Sequence, residues 1–249
     1  PPPPPPPYFQ AEDGIRDKQI CLVGSEMCIR DRGMTVALMD GIVAPSRHVP
    51  SYRSGMKRSD KEILLAYLKA GRESLLWKLD GLSPYDARRP MVGTGTNLLG
   101  LVKHIASVEA GYLGSVFGRP FPDEPFPWFE PGSEPNADMW ATLDESIADI
   151  VGLYERVAEH SEATVNALEL DARGSVPWWG DRSEVTLHQI LVHVTTETHR
   201  HAGHADIIRE MIDGSVGLRP GNENLPDVDG QYWEEHRRRL EEVARNAGD

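Results

Sequence analysis

The stretch Thr186–Ile212, TLHQILVHVTTETHRHAGHADIIREMI, decides the fold. Its apolar residues recur at steps of three and four, the period of one face of an α-helix that packs against a core. In the middle of this face stand Glu197, His201 and His204. Burying a carboxylate and two imidazoles is costly unless they pair with one another or bind a metal. The stretch therefore predicts a core-facing helix that carries a polar site.

The spacing of these polar residues favours a metal site. Glu197 and His201 are four residues apart, so their side chains leave the helix one turn apart on the same face. A third ligand must come from elsewhere, and His104, at the edge of another apolar stripe, is the best candidate. Three nitrogen and oxygen ligands leave one position open for water or substrate, as in catalytic zinc sites. The alternative is a buried Glu–His pair or a hydrogen-bonded core histidine.

Two more histidines of this helix bear on the site. His193 lies one turn before Glu197 and is an alternative ligand. His204 is an acid/base group, a support for the ligands or a core histidine, and we predict the catalytic role for it. Trp178 and Trp179, in the connector before the helix, are interpreted as core or loop anchors rather than as a substrate platform.

The remaining periodicity predicts an all-α fold. Ser59-Asp-Lys-Glu62 is a capping box that opens a first helix ending near Leu79. Four long helices with short to medium connections are typical of a four-helix bundle, and such bundles commonly hold metals in their core. A fifth helix, rich in Glu and Arg pairs, predicts an extra C-terminal amphipathic helix. The predicted helices after the first run from about Asn97 to Gly114, Ala137 to Leu168 (with a break near His160), Thr186 to Asp213 and Gln231 to Asn246.

Two connections stand out. Residues 118–135 are rich in proline and aromatic residues and are long for a connection, which indicates a functional loop or lid. Residues 171–184 are interpreted as a connector that contains Trp178 and Trp179.

Residues 1–32 resemble translated sequencing-adapter DNA. Residues 10–17, QAEDGIRD, and 21–32, CLVGSEMCIRDR, match two adapter types in order, after seven prolines. The alternative interpretation of the prolines is an extended linker or an SH3-type ligand. We therefore expect an artefact without fixed structure at 1–32, an uncertain extension at 33–55 and the metal-binding bundle at 56–249. Met34 and Met56 are both candidate starts, and Met56 is favoured because it stands just before the first predicted helix.

Composition excludes several classes of protein. The net charge of −13 disfavours nucleic-acid binding, which needs clustered Lys and Arg. No apolar run approaches the roughly 20 residues that span a bilayer, so no membrane partner is expected. Both cysteines, Cys21 and Cys28, lie in the adapter-like segment, so the rest of the chain has no disulfide and no thiolate ligand. This fits a cytoplasmic protein.

Two motifs resemble the DinB-like superfamily. Thr94-Gly-Thr-Asn-Leu-Leu-Gly-Leu-Val-Lys-His104-Ile-Ala-Ser-Val-Glu109 resembles its second-helix signature, and Glu197-Thr-His-Arg-His201-Ala-Gly-His204-Ala-Asp206 its C-terminal metal motif. The resemblance runs from about Met56 to Arg239. It is strongest to the branch related to mycothiol-dependent S-transferases and maleylpyruvate isomerase. It implies a four-helix bundle whose divalent ion is held by His104, Glu197 and His201.

The resemblance implies a thiol S-transferase. The cofactors it implies are a divalent metal, Zn²⁺ or else Ni²⁺, and mycothiol or a similar low-molecular-weight thiol as co-substrate. The partner would be a small electrophile, and a homodimer is left open. The alternatives are a non-enzymatic metal-binding bundle related to stress, with a closed ion and a fourth ligand such as His193, and a metal-assisted hydrolase.

Overall fold

The computed structural model describes residues 58–223 and 225–248. The predictions for residues 1–32 and 33–55 lie outside the described residues. Within these residues there are six α-helices, numbered in chain order: α1 Asp60–Trp77, α2 Pro84–Arg88, α3 Leu98–Leu113, α4 Ile147–Ala167, α5 Leu187–Asp213 and α6 Gly230–Ala247. In the part of the chain described, no helix is long and apolar enough to cross a membrane.

The long helices begin where side chains can satisfy their first free N–H groups. The capping box at Ser59 is formed, with Glu62 bonding back to the Ser59 backbone N–H at 2.7 Å. Asn97 accepts from the N–H of Gly100 and opens α3, and Thr186 accepts from the N–H of Gln189 and opens α5. Gly214 ends α5 in a left-handed conformation that glycine adopts without strain. The predicted starts and ends of these three helices are therefore close to the observed ones.

Helices α1, α3, α4 and α5 correspond to the four predicted long helices and pack into a bundle. Helix α3 lies against both α4 and α5, and α1 lies against α5. The predicted all-α fold with an added C-terminal helix is confirmed. The core is made from one face of each long helix and includes Leu68, Leu75, Leu98, Leu101, Ile105, Tyr154, Val157, Leu187, Ile190 and Val194. Helix α6 has no buried residue among those described.

The predicted start of the third long helix at Ala137 is wrong. Residues Ala137–Met139 form a single 3₁₀ turn, and α4 begins at Ile147, after the capping box that Ser146 makes with Asp149. Leu143, which the helical pattern would bury, is 96 % exposed. A strong local cap outweighs a short run of matching periodicity. Helix α4 is continuous through His160, so the predicted break is also wrong.

The connector before α5 contains a small hairpin that the sequence pattern did not predict. Strands β1, Arg173–Ser175, and β2, Glu184–Thr186, pair antiparallel. Each has only three residues, which is too short for a period of two to be recognised. A 3₁₀ segment, Pro177–Arg182, joins them and carries Trp178 and Trp179. The hairpin thus presents both tryptophans at the entry of α5.

Candidate metal centre and its surroundings

The polar residues of α5 lie at the edge of its buried face. The fully buried line runs through Thr198 and Ala205. Glu197, His201 and His204 are half-buried beside it. We expected these three residues at the centre of the apolar face, but the centre is occupied by their sequence neighbours Thr198 and Ala205. This edge placement is more favourable chemically, because the groups keep access to a ligand while neighbours partly exclude water.

Glu197 and His201 face each other as their spacing predicts. Glu197 Oε2 is 3.6 Å from His201 Nε2, which is too long for a good hydrogen bond. The His201 imidazole, opposed by burial, holds the pKa of Glu197 below its ordinary value. Burial lowers the pKa of His201, although the Glu197 carboxylate works against it. At neutral pH the pair is therefore a carboxylate and a neutral imidazole, the forms that bind metals.

His104 on α3 comes to the same place. Its ring lies edge-to-face against the ring of His201, with centroids 4.9 Å apart and planes at 72°. The structure thus brings together the three predicted ligands from two different helices. The 3.6 Å between Glu197 Oε2 and His201 Nε2 is close to the separation of about 3.4 Å between two donor atoms on one tetrahedral zinc.

Asp138 is a member of this cluster that sequence reasoning missed. Its Oδ2 lies 2.6 Å from His104 Nδ1. Burial acts to raise the pKa of Asp138, but the hydrogen bond and charge of His104 outweigh it, so this pKa is lowered. The carboxylate therefore accepts the Nδ1–H of His104, and this hydrogen bond does not use the other ring nitrogen, Nε2. This carboxylate–histidine pairing is the usual support of a metal-ligating histidine.

The Asp138 turn is seated directly on α3. A Cβ added to Gly100 would lie 1.8 Å from the carbonyl oxygen of Met139. Only glycine lets the turn approach the helix this closely. The next turn of α3 bonds the same loop, since Lys103 reaches Glu145 at 2.8 Å. Sequence position gave no sign of this, because Asp138 was assigned to a helix.

His204 lies beside His201. The two Nδ1 atoms are 3.3 Å apart, so one ring donates its proton and the other accepts it. Burial, followed by the neighbouring His201, lowers the pKa of His204, so it too is neutral at pH 7. If His201 uses Nε2 for a ligand, its Nδ1–H donates to His204, and His204 then carries its own proton on Nε2.

His193, the alternative ligand, lies in an aromatic cluster one turn away. Its ring centroid is 4.7 Å from that of Tyr112 and 5.0 Å from that of Trp179. The indole N–H groups of Trp178 and Trp179 both donate to the Tyr112 hydroxyl, each at 3.1 Å. The prediction that these tryptophans anchor a loop therefore agrees with their contacts, although Trp178 is 59 % exposed.

The types of side chain at the candidate centre suit a divalent ion, but their positions do not form a complete set of ligands. Within residues 58–223 and 225–248, no three His, Cys, Asp or Glu side chains form a ready-made metal site. Two imidazoles and a carboxylate are nevertheless ligands that Zn²⁺ and Ni²⁺ accept. Both His104 and His201 also have a partner at Nδ1, at 2.6 and 3.3 Å respectively. The types of residue present and the partners at Nδ1 are therefore compatible with a divalent ion.

Comparison with known proteins agrees with the resemblance of the two motifs. No curated protein matches the chain. A family model described as mycothiol-S-transferase matches residues 63–214, more than half of the 249 residues. The matched span reaches from α1 to the glycine that ends α5 and includes all three candidate ligands. The chain belongs to the mycothiol-S-transferase family.

Proposed function

We propose that this chain is a divalent-metal-dependent S-transferase that joins mycothiol, or a similar low-molecular-weight thiol, to a small electrophile. The observation that carries the proposal is the meeting of His104, Glu197 and His201 at the facing edges of α3 and α5. Zn²⁺ suits this set of ligands best, with Ni²⁺ as the alternative. Family membership supports the thiol chemistry.

The side chains hold the ligands in the form that metal binding needs. Asp138 accepts the Nδ1–H of His104, so this ring offers Nε2. His204 accepts the Nδ1–H of His201 in the same way, so that ring also offers Nε2. Glu197, with a lowered pKa, supplies one negative charge. His104, Glu197 and His201 would hold the ion, and Asp138 and His204 would orient the two imidazoles.

The reaction requires a thiolate and an electrophilic carbon. When bound, a divalent ion favours the thiolate form of a coordinated thiol, whose proton is released to solvent. The thiolate attacks the carbon, the new S–C bond forms, and the bond to the leaving group breaks with its electron pair. His204 carries its proton on Nε2 in this arrangement and can donate a hydrogen bond to the leaving group. We therefore propose His204 as the catalytic residue.

Metal content tests the proposal. The full-length chain, expressed in medium containing zinc, is compared with His201→Ala and with His188→Ala, an exposed histidine in the first turn of α5. Elemental analysis is expected to give about one ion per chain for the wild type and His188→Ala, and none for His201→Ala. A folded wild type without metal would contradict the proposal. Bound metal without transfer of mycothiol to a chloroalkyl electrophile would indicate the structural alternative instead.

A further inference from the structure

The aromatic cluster beside the candidate metal centre contains an exposed ring that is held in place. The Trp178 side chain is 59 % exposed, yet its indole N–H is bonded to the Tyr112 hydroxyl at 3.1 Å. The two rings meet edge-to-face, with centroids 5.4 Å apart and planes at 69°. A tryptophan that served only to anchor the loop would gain more by burying its ring. Here the edge of the ring is fixed while much of its surface stays accessible.

The local structure keeps Trp178 in this position. Gly180, with φ 57° and ψ −127°, turns the backbone in a way that disfavours other residues, so the 3₁₀ segment can place both indoles on α3. Trp179 donates a second hydrogen bond to the Tyr112 hydroxyl. With two donors on its oxygen, this hydroxyl has accepted all that its lone pairs allow. The cluster is therefore ordered before any ligand arrives, which reduces the entropy lost on binding.

The register of α3 relates the ring to the candidate metal centre. A Cβ at Gly111 would be 4.0 Å from the Trp178 ring, so the indole lies over this position. Gly111 follows His104 by seven residues, which is two helical turns on nearly the same face, or about 10 Å along the axis. On α5, His193, whose ring contacts Tyr112, lies one turn before Glu197 and about two turns before His201. The exposed ring and the ligands thus lie along one line of the α3–α5 interface.

We infer that Trp178, fixed by Tyr112, is a stacking platform for the carbohydrate part of mycothiol. This inference rests on the proposed function. Mycothiol is a cysteinyl thiol joined by an amide to an amino-sugar–inositol unit. Five bonds separate its sulfur from the first ring, roughly 6 Å, and the second ring extends beyond that, so the molecule is long enough to reach Trp178 from a thiol held at His104. The C–H groups of a sugar face carry partial positive charge and are attracted to the negative face of an indole.

A thiol-free ligand separates this site from the chemistry. The probe is the amino-sugar–inositol glycoside without its cysteine, titrated calorimetrically into the full-length wild type, Trp178→Ala, Tyr112→Phe and Trp233→Ala. Trp233 is on α6 and is 36 % exposed, so it is a control for the loss of an accessible indole. We expect the dissociation constant to rise about tenfold in Trp178→Ala, less in Tyr112→Phe and not at all in Trp233→Ala. Thermal melting checks that each variant is folded.

A second measurement uses two thiols. With the same electrophile, Trp178→Ala is expected to raise KM for mycothiol about tenfold and to leave kcat/KM for N-acetylcysteine, which has no carbohydrate, unchanged. Equal glycoside binding by wild type and Trp178→Ala, or no binding by the wild type, would overturn the inference. Glycoside binding that depends on Trp178, in a protein that transfers no thiol, would keep the platform and refute the proposed function instead.

Discussion

Substitution of Gly100 by alanine tests whether the α3–α4 loop supports the candidate metal centre. A Cβ there would lie 1.8 Å from the Met139 carbonyl oxygen and 2.5 Å from its carbonyl carbon. Ordinary contact needs more than 3 Å, so the turn that carries Asp138 must shift by more than 1 Å. Asp138 would then leave His104, with which it makes a 2.6 Å hydrogen bond. The effect on the site is thus transmitted through the backbone of the loop.

The expected free-energy change combines two terms of opposite sign. Replacing a helical glycine by alanine stabilises by about 1 kcal/mol. Overpacking against a backbone carbonyl costs about 3 kcal/mol. The net loss of about 2 kcal/mol should lower Tm by about 4–8 °C in a chain of this size. Loss of the carboxylate partner should also weaken zinc binding by roughly 10–100-fold.

Thermal melting and competition with a zinc chelator measure the two effects. Gly152→Ala on α4 is the matched control, because its Cβ would meet only the end of the Arg156 side chain, at 3.6 Å. The same chemical change there should raise Tm slightly and leave zinc affinity unchanged. The reasoning is refuted if Gly100→Ala is at least as stable as Gly152→Ala and binds zinc like the wild type.

Three further predictions concern individual charges. Asp138→Asn should weaken zinc binding by roughly 10–100-fold in the same competition assay, and an unchanged affinity would contradict its supporting role. Glu109→Gln should destabilise the fold by about 3 kcal/mol in thermal or urea unfolding. Arg72 is buried and meets Glu109 at 2.6 Å, and without that carboxylate its remaining ion-pair partner among the described residues is the half-exposed Glu162. The control Glu162→Gln should cost under about 1 kcal/mol, and equal losses in the two variants would argue against this account. Hydrogen bonding to Arg209 lowers the pKa of Asp213 to about 2, below that of an unfolded chain, so its contribution is present above about pH 4 and disappears as the pH falls towards 2. Because the Asp213 side chain is 36 % exposed, Asp213→Asn should cost under about 1 kcal/mol at pH 7 and less at pH 3, whereas a Tm difference that does not change with pH would disagree.

The bundle and most of the candidate centre could be predicted because their signals are local. Ser59, Asn97 and Thr186 are caps, and each stands just before an apolar period of three and four. The pairing of Glu197 with His201 follows from helix geometry alone. His104 could be selected because it lies at the edge of an apolar helical stripe and within a motif that resembles the family signature. Its contact with the α5 residues then follows from the packing of α3 on α5.

The missed features depend on contacts between distant parts of the chain. Asp138 and His104 are 34 residues apart, and nothing in the periodicity around either residue relates them. The helical pattern that placed Asp138 inside a helix fails because the cap at Ser146 starts α4 ten residues later than predicted. The hairpin was missed for another reason, because strands of three residues are too short to show an alternating pattern. Trp178 was interpreted as an anchor, and its exposure could be seen only in three dimensions.

The α3–α4 loop is better understood as a support of the site than as a lid. Lys103 bonds Glu145 and lies 4.1 Å from the centre of the Trp128 ring, and Ser107 accepts the Trp128 indole N–H at 3.0 Å. Because Lys103 is buried, opening the loop would separate a largely desolvated ion pair. His104 lies between these two positions on α3 and bonds the same loop through Asp138. Opening it would therefore release His104 as well, whereas a lid should move without dismantling the centre that it covers.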